Sequence, residues 1–254
     1  MKFSYEDLIS GDPIFVKGVG HLRSPQLKEL SPSGKIGAWT YQLYLNVLSW
    51  DKKQCLEFVK MLTGRRLTKL EENEKMTTFD TMAIIGEMRE LLHNAMAFFV
   101  SEKVSWDKQA NEFVVFDEAS QESIGRITRE NFEDVRDMML QLNYIGVGEA
   151  AAPMHHSSEK ARKLWERSQQ YLKEQSKHST KDKSYAFGNI VSKLCAANTG
   201  YTLFNIYDLT IFQLYDQFFQ YGYLRAMNLN EMAFSNHGGE KFDMQAWLKP
   251  ILKF

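Results

Sequence analysis

Cysteine is scarce in this sequence, with two residues in a chain of 254. Cys55 and Cys195 are far apart, and each falls inside an apolar helical pattern rather than in a Cys-x-x-Cys pair. That spacing argues against a disulfide framework and against a thiolate metal site. A chain that needs neither fits a reducing compartment, and we expect it in the cytoplasm of the cell that makes it.

The chain also lacks an excess of charge of one sign and any long apolar run. It carries 31 basic and 32 acidic side chains, so no overall field draws it to nucleic acid or to an anionic membrane. No segment approaches the roughly 18 uninterrupted apolar residues that a membrane-spanning helix needs. The first residues do not show a basic region followed by an apolar stretch. We therefore expect neither a membrane protein nor a secreted one.

Motifs typical of catalysis are missing too. Residues 18–21, Gly-Val-Gly-His, lack the lysine and the hydroxyl residue of a phosphate-binding loop, so a hairpin turn explains them better. No serine or cysteine lies in a nucleophile elbow. His155 and His156 have no third ligand at a suggestive spacing, and adjacent side chains point apart. We expect no enzymatic activity, cofactor or metal; the alternative is a metal-dependent enzyme built on this histidine pair.

The first half of the sequence alternates between turn signals and apolar patterns. Glycine and proline punctuate the first thirty-odd residues, where short runs such as 14–16 predict strands. Apolar periodicity predicts a helix near 39–50, a second from an Asp51 cap to Gly64, and a third from about Thr78 to Phe99.

Strand signals return after the third helix. The β-branched and aromatic run 112–116 and the run 123–127 predict a β-hairpin. A helix capped by Thr128 is expected to follow, with Phe132, Val135, Met139 and Leu142 facing inward.

The second half divides into a polar part and an apolar part. We predict a mainly α fold with a small β component (α+β): an N-terminal α+β domain over 1–145, a linker and basic solvated helix over 146–185, and a C-terminal helical domain over 186–254.

The basic stretch 160–183 is one candidate interaction site. Trp165 and Tyr171 lie within it and offer rings that stack on bases. Interleaved acidic residues dilute its charge, however, so a solvated or partner-facing helix is favoured over a nucleic-acid contact.

The aromatic residues between 204 and 223 are the other candidate, because they exceed what one helix face can hide. Four of them fall at three- and four-residue steps on one helical face and are predicted to bind a partner: Phe212, Tyr215, Phe219 and Tyr223. Packing in a compact helical core explains the same pattern equally well, so both interpretations stay open.

Four segments of the sequence carry a family resemblance. The main one is 203–218, which contains the pattern N-I-x-D-L-T-I-x-Q-L-Y-D-x-F and follows a basic linker. Together with the stretches 9–14, 125–132 and 242–249, it resembles tail-assembly-region proteins of bacteriophages and prophages of Gram-positive bacteria. These segments are scattered over most of the chain and include no catalytic signature.

The resemblance implies a tail assembly chaperone or accessory protein. Such a protein shields the helical, aggregation-prone tape-measure protein while tail-tube subunits polymerise around it. The alternatives are a structural tail protein retained in the virion and a nucleic-acid-binding protein that uses 160–183. The partners implied are phage tail proteins, above all the tape-measure protein, and a homo-oligomer is left open.

Overall fold

The structure is a computed structural model that describes residues 3–31, 34–64, 68, 75–146, 148–149, 187–197, 199–237 and 252–253. Within these ranges the chain is mainly helical with small antiparallel sheets, which confirms the predicted fold class. Two compact units are present, Met1–Gly146 with Asp208–Phe212, and Val147–Tyr207 with Gln213–Phe254. We call them the first and second unit.

The first unit opens with a short helix and a hairpin. Helix α1 (Tyr5–Ser10) begins with a capping box in which the Ser4 hydroxyl accepts the Asp7 N–H. Strands β1 (Ile14–Val16) and β2 (Gly20–Leu22) pair antiparallel. The turn between them contains Gly18 at φ +78°, a conformation that glycine adopts without strain. The predicted strands and turn are confirmed.

Two helices follow at the predicted places. Helix α2 (Ala38–Ser49) ends before Asp51, and helix α3 (Lys52–Thr63) begins with the Asp51 carboxylate accepting the Gln54 N–H at 2.8 Å. Gly64 ends α3 at φ +62°, in the left-handed region that a helix C-terminus commonly uses. Both predicted caps of α3 are confirmed.

The predicted single helix between residues 78 and 99 is wrong, because the structure has two. Helix α4 (Thr78–Ile84) and helix α5 (Gly86–Phe99) are separated at Ile85, whose ψ of 112° is not helical. Ile85 is nevertheless fully buried, so the regular spacing of apolar residues continues across the interruption between the two helices. The guanidinium of Arg89 donates to the Ala83 carbonyl at 3.1 Å and satisfies an acceptor at the interruption.

The β component is a three-stranded antiparallel sheet of β3 (Lys103–Asp107), β4 (Glu112–Phe116) and β5 (Ser123–Ile127). The hairpin β4–β5 is confirmed, whereas the local sequence patterns do not predict β3. Its residues pair with β4 in the register Val104 to Val115 and Trp106 to Phe113.

Helix α6 (Phe132–Leu142) follows the sheet, and its predicted inward residues are all buried. The Thr128 cap is wrong, because Asn131 occupies the N-cap position. Thr128 belongs to the preceding turn: its N–H donates to Asn131 Oδ1 at 2.7 Å, and its carbonyl accepts the Phe132 N–H at 2.9 Å. The ring of Phe132 lies 5.1 Å from that of Phe79 on α4.

A short segment from late in the sequence completes the first unit. The Leu27 N–H donates to the Leu209 carbonyl, and the Ile211 N–H donates to the Pro25 carbonyl, each at 2.9 Å. The Phe212 side chain is fully buried. Segment 208–212 is therefore held by main-chain hydrogen bonds to residues near the N-terminus.

The described part of the second unit contains two helices and a two-residue strand pair. Helix α7 (Phe187–Ala196) buries Ile190, Val191 and Leu194. Helix α8 (Ile211–His237) has its first two residues in the first unit and directly follows Thr210. Strands β6 (Gly148–Glu149) and β7 (Leu252–Lys253) pair antiparallel.

In the sequence, Gly222 predicts that this last helix ends nearby, but that prediction is wrong, because α8 continues to His237. A glycine within a helix costs about 1 kcal/mol relative to alanine, an amount that tertiary contacts can offset. Tyr223 and Met227 lie beyond Gly222 and are both buried, which supplies such contacts.

Candidate protein-binding surface

A hydrogen-bonded turn precedes helix α8 in the second unit. The Asn205 side-chain oxygen accepts the Thr202 N–H at 2.7 Å, and the Thr202 hydroxyl accepts the Phe204 N–H at 3.3 Å. The Asn205 and Ile206 N–H groups both donate to the Thr202 carbonyl. Asparagine and threonine favour such turns because their short side chains bond to nearby main chain. This local network fixes the conformation of residues 202–206.

The turn holds apolar side chains in solvent. Phe204 is 96% exposed and Leu203 is 64% exposed, while Ile206 is fully buried and anchors the turn. Tyr207 is partly exposed. We call Leu203, Phe204 and Tyr207 the apolar turn. Leaving a phenylalanine ring in water forgoes about 2 kcal/mol of burial free energy, so a fixed and fully exposed ring is typical of a contact site for another molecule.

Phe204 and Tyr207 belong to the clustered aromatic residues, but helical periodicity does not single them out, because the apolar turn lies before the helix. The sequence contains a different signal for this turn. Thr202 and Asn205 are two turn-forming residues three positions apart, and they flank Leu203 and Phe204.

The four predicted partner-binding residues lie at different depths. Phe212 is fully buried in the first unit, where its ring is 5.1 Å from that of Tyr144. Tyr223 is buried in the second unit. Tyr215 and Phe219 are half-buried, and burial raises the pKa of the Tyr215 phenol. The binding of a partner by these residues stays a prediction.

The first unit has a cleft of about 520 Å³ with both apolar and charged walls. Its charged groups are engaged locally: Arg129 lies 3.3 Å from Asp80, and the Thr128 hydroxyl donates to the Glu130 carboxylate at 2.6 Å. That hydrogen bond lowers the pKa of Glu130. Glu112 forms an ion pair with an arginine of β5. These contacts tie the start of α6 and strand β4 to their neighbours, which is a structural role.

His21, which follows the hairpin turn, lies beside the carboxylate of Glu102. The His21 Nδ1 atom lies 2.5 Å from Glu102 Oε1, and the His21 main-chain N–H donates to Glu102 Oε2 at 2.9 Å. This pair ties strand β2 to the chain after α5. Across the described ranges, no group of three or more histidine, cysteine or acidic residues is placed to hold a metal ion.

Several sequence candidates fall outside the described residues. They are the pair His155 and His156, the basic stretch 160–183, and the segment 242–249 of the family resemblance. Among the helices that the structure does describe, none combines the length and apolar character that a membrane crossing requires.

Comparison with known protein families points to phages. Residues 177–252 match the family model described as YomV second domain, a family associated with phages and prophages. The match covers less than a third of the chain, and helices α7 and α8 and the apolar turn all lie within it. No curated protein and no solved structure matches the chain. The part of the chain that carries the apolar turn is thus similar to a domain of phage and prophage proteins.

Proposed function

We propose that this chain is a non-enzymatic phage tail assembly chaperone or accessory protein. In this proposal it binds helical segments of the tape-measure protein in the cytoplasm of the bacterial host during tail morphogenesis. The observation that carries the proposal is the near-complete exposure of Phe204 on a hydrogen-bonded turn. The similarity of residues 177–252 to a phage-associated domain supports a phage context.

The geometry of the apolar turn suits an apolar client. Because the turn is already fixed by Thr202 and Asn205, binding loses little further main-chain entropy. Phe204 then acts as an anchor, and Leu203 and Tyr207 flank it. An amphipathic helix offers side chains at steps of three and four residues, between which a single ring can insert. Full burial of the Phe204 ring contributes about 2 kcal/mol, or roughly thirtyfold in the dissociation constant.

The test is an affinity pull-down of the tagged full chain from phage-infected or prophage-induced cells, followed by mass spectrometry. We expect a long helical tape-measure protein among the captured proteins. Phe204→Ser should lower its recovery at least about tenfold without unfolding the chain, because the ring makes almost no contact with the rest of the protein.

Trp39→Ser is the matched control. Trp39 is a large aromatic residue of the first unit, 77% exposed, and its replacement removes a similar apolar surface. This substitution should leave the recovery of the tape-measure protein unchanged. An equal loss of recovery in Trp39→Ser and Phe204→Ser would show that the capture is unspecific. If the unaltered chain captures no tail component, the proposal is refuted.

Two further measurements separate the proposal from its alternatives. A chaperone is left behind after assembly, so mass spectrometry of purified particles should not detect the chain; stoichiometric recovery there would instead identify a structural tail protein. A nucleic-acid-binding protein using 160–183 would show affinity that falls steeply with salt, because bound counterions are released. We expect no such binding at low salt.

A further inference from the structure

The second half of helix α8 presents a continuous exposed face. With 3.6 residues per turn, six of its positions fall within an arc of about 120°. All six are exposed, and we call them the α8 face: Leu224, Arg225, Asn228, Glu231, Met232 and Ser235. Leu224 is 51% and Met232 is 60% exposed, so apolar surface is left open on this face.

The residues of the α8 face are arranged symmetrically about Asn228, so that the face is complementary to the same face of an antiparallel helix. Asn228 lies at the centre, with Leu224 four residues before it and Met232 four residues after it. Arg225 and Glu231, of opposite charge, lie three residues to either side. In an antiparallel second copy centred on Asn228, Leu224 therefore lies level with Met232, and Arg225 lies level with the oppositely charged Glu231.

The two charges of this face are not used elsewhere in the described structure. Neither Arg225 nor Glu231 has an ion-pair partner among the residues that the structure describes. Along the helix, the residues three and four positions from each of them are uncharged, so no intrahelical pair of that kind accounts for either charge.

We propose that the α8 face binds a second copy of this chain, with the two helices antiparallel and related by a two-fold axis at Asn228. Such an interface is isologous, since the same surface is used by both copies. Leu224 of one copy contacts Met232 of the other, and Arg225 pairs with Glu231, twice by symmetry. One helix pair of this length is a small interface, so the dimer is weak and forms at micromolar concentrations.

Charge reversal tests this arrangement in the full chain by sedimentation equilibrium, at concentrations up to the order of 100 μM. Arg225→Glu or Glu231→Arg alone places like charges opposite each other twice, and each should weaken dimerisation at least about tenfold. The double variant R225E/E231R restores opposite charges and should dimerise like the unaltered chain. An equimolar mixture of the two single variants should form a heterodimer, because only the mixed pair has complementary charges.

Two controls separate pairing from unfolding and from net charge. Circular dichroism should show unchanged helicity in every variant, since no charged residue lies three or four positions from either one along the helix. Lys108 lies in the exposed turn between β3 and β4, and the substitution Lys108→Glu changes the net charge as much as Arg225→Glu does. The Lys108→Glu variant should dimerise like the unaltered chain. A monomeric unaltered chain, insensitivity to the single reversals, or a double variant that does not recover would each overturn the proposal.

Discussion

The buried carboxylate of Glu29 allows a quantitative test of the first unit. Glu29 lies in the short 3-10 turn Leu27–Leu30, and its side chain is 9% exposed. Its Oε2 accepts hydrogen bonds from the Arg23 guanidinium at 2.7 Å and from the Gln26 N–H at 2.9 Å. The Lys35 ammonium lies 3.0 Å from Oε1. This cluster joins the residues after β2 to the turn that precedes α2.

These contacts determine how Glu29 titrates. Burial by itself raises the pKa of the carboxyl group, but Arg23, the Gln26 N–H and Lys35 outweigh burial and lower that pKa from 4.5 to about 2. Each unit of difference between these two pKa values corresponds to about 1.4 kcal/mol, so the ionised Glu29 carboxylate stabilises the folded state by at most roughly 3.5 kcal/mol. Because Lys35 is largely exposed and its charge is screened by solvent, we expect about 2 kcal/mol.

The pH dependence has a definite sign. The folded-state pKa lies below the unfolded value, so the ionised form of Glu29 stabilises the fold. This stabilisation is complete above about pH 4.5 and is lost as the pH falls from there toward about 2. Glu29→Gln removes the charge but keeps an acceptor of similar shape. At pH 7 it should lower the free energy of unfolding by about 2 kcal/mol, and the difference from the unaltered protein should shrink on acidification.

The assay is urea unfolding followed by tryptophan fluorescence at a series of pH values from neutral to acid. Glu57→Gln is the control, because the Glu57 carboxylate on α3 is exposed and lies 3.9 Å from Lys53. That substitution should change stability by less than about 0.5 kcal/mol. A difference between the Glu29→Gln and unaltered proteins that stays constant down to the lowest pH would show that the Glu29 charge does not stabilise the fold.

Three further predictions concern buried positions. Phe212→Ala removes a fully buried ring that contacts Tyr144 and should lower the free energy of unfolding by about 3 to 5 kcal/mol in urea titrations. Burial raises the pKa of the Cys55 thiol to about 12, so a thiol reagent at mildly alkaline pH should label it only after unfolding; labelling in the native state would contradict the described burial. Gly125→Ala places a Cβ atom 2.5 Å from the Val19 carbonyl oxygen and should cost about 1 to 3 kcal/mol in the same titrations; an unchanged unfolding midpoint would contradict this close approach.

Much of the local structure could be predicted because its causes are adjacent in the sequence. Asp51 and Gly64 bound helix α3 through interactions within a few residues of themselves, and so they appear as a cap and a stop in the sequence. The alternation of turn signals with β-branched runs likewise predicts the hairpin β4–β5. Interactions of this range need no knowledge of the rest of the fold.

Predictions from local patterns were wrong where two different structures, such as one continuous helix or two helices, share the same spacing of apolar residues. The break at Ile85 leaves the inward stripe intact, and the Arg89 side chain satisfies the Ala83 carbonyl there, so periodicity alone predicts one continuous helix. Strand β3 depends on its pairing with β4, which lies beyond the reach of a local pattern. Gly222 is a helix terminator by propensity, yet the burial of Tyr223 beyond it supports continuation of α8.

The helices with strong caps, the hairpin and the aromatic-rich segment near the C-terminus can all be predicted from local sequence. Which of those aromatic rings are accessible depends on the tertiary fold. Phe204 and Phe212 belong to the same segment, yet the first is almost fully exposed and the second is fully buried. The reason is that burial depends on surfaces supplied by distant parts of the chain: Pro25 and Leu27 hold the segment of Phe212 in place, whereas the turn of Phe204 is fixed by its own neighbours.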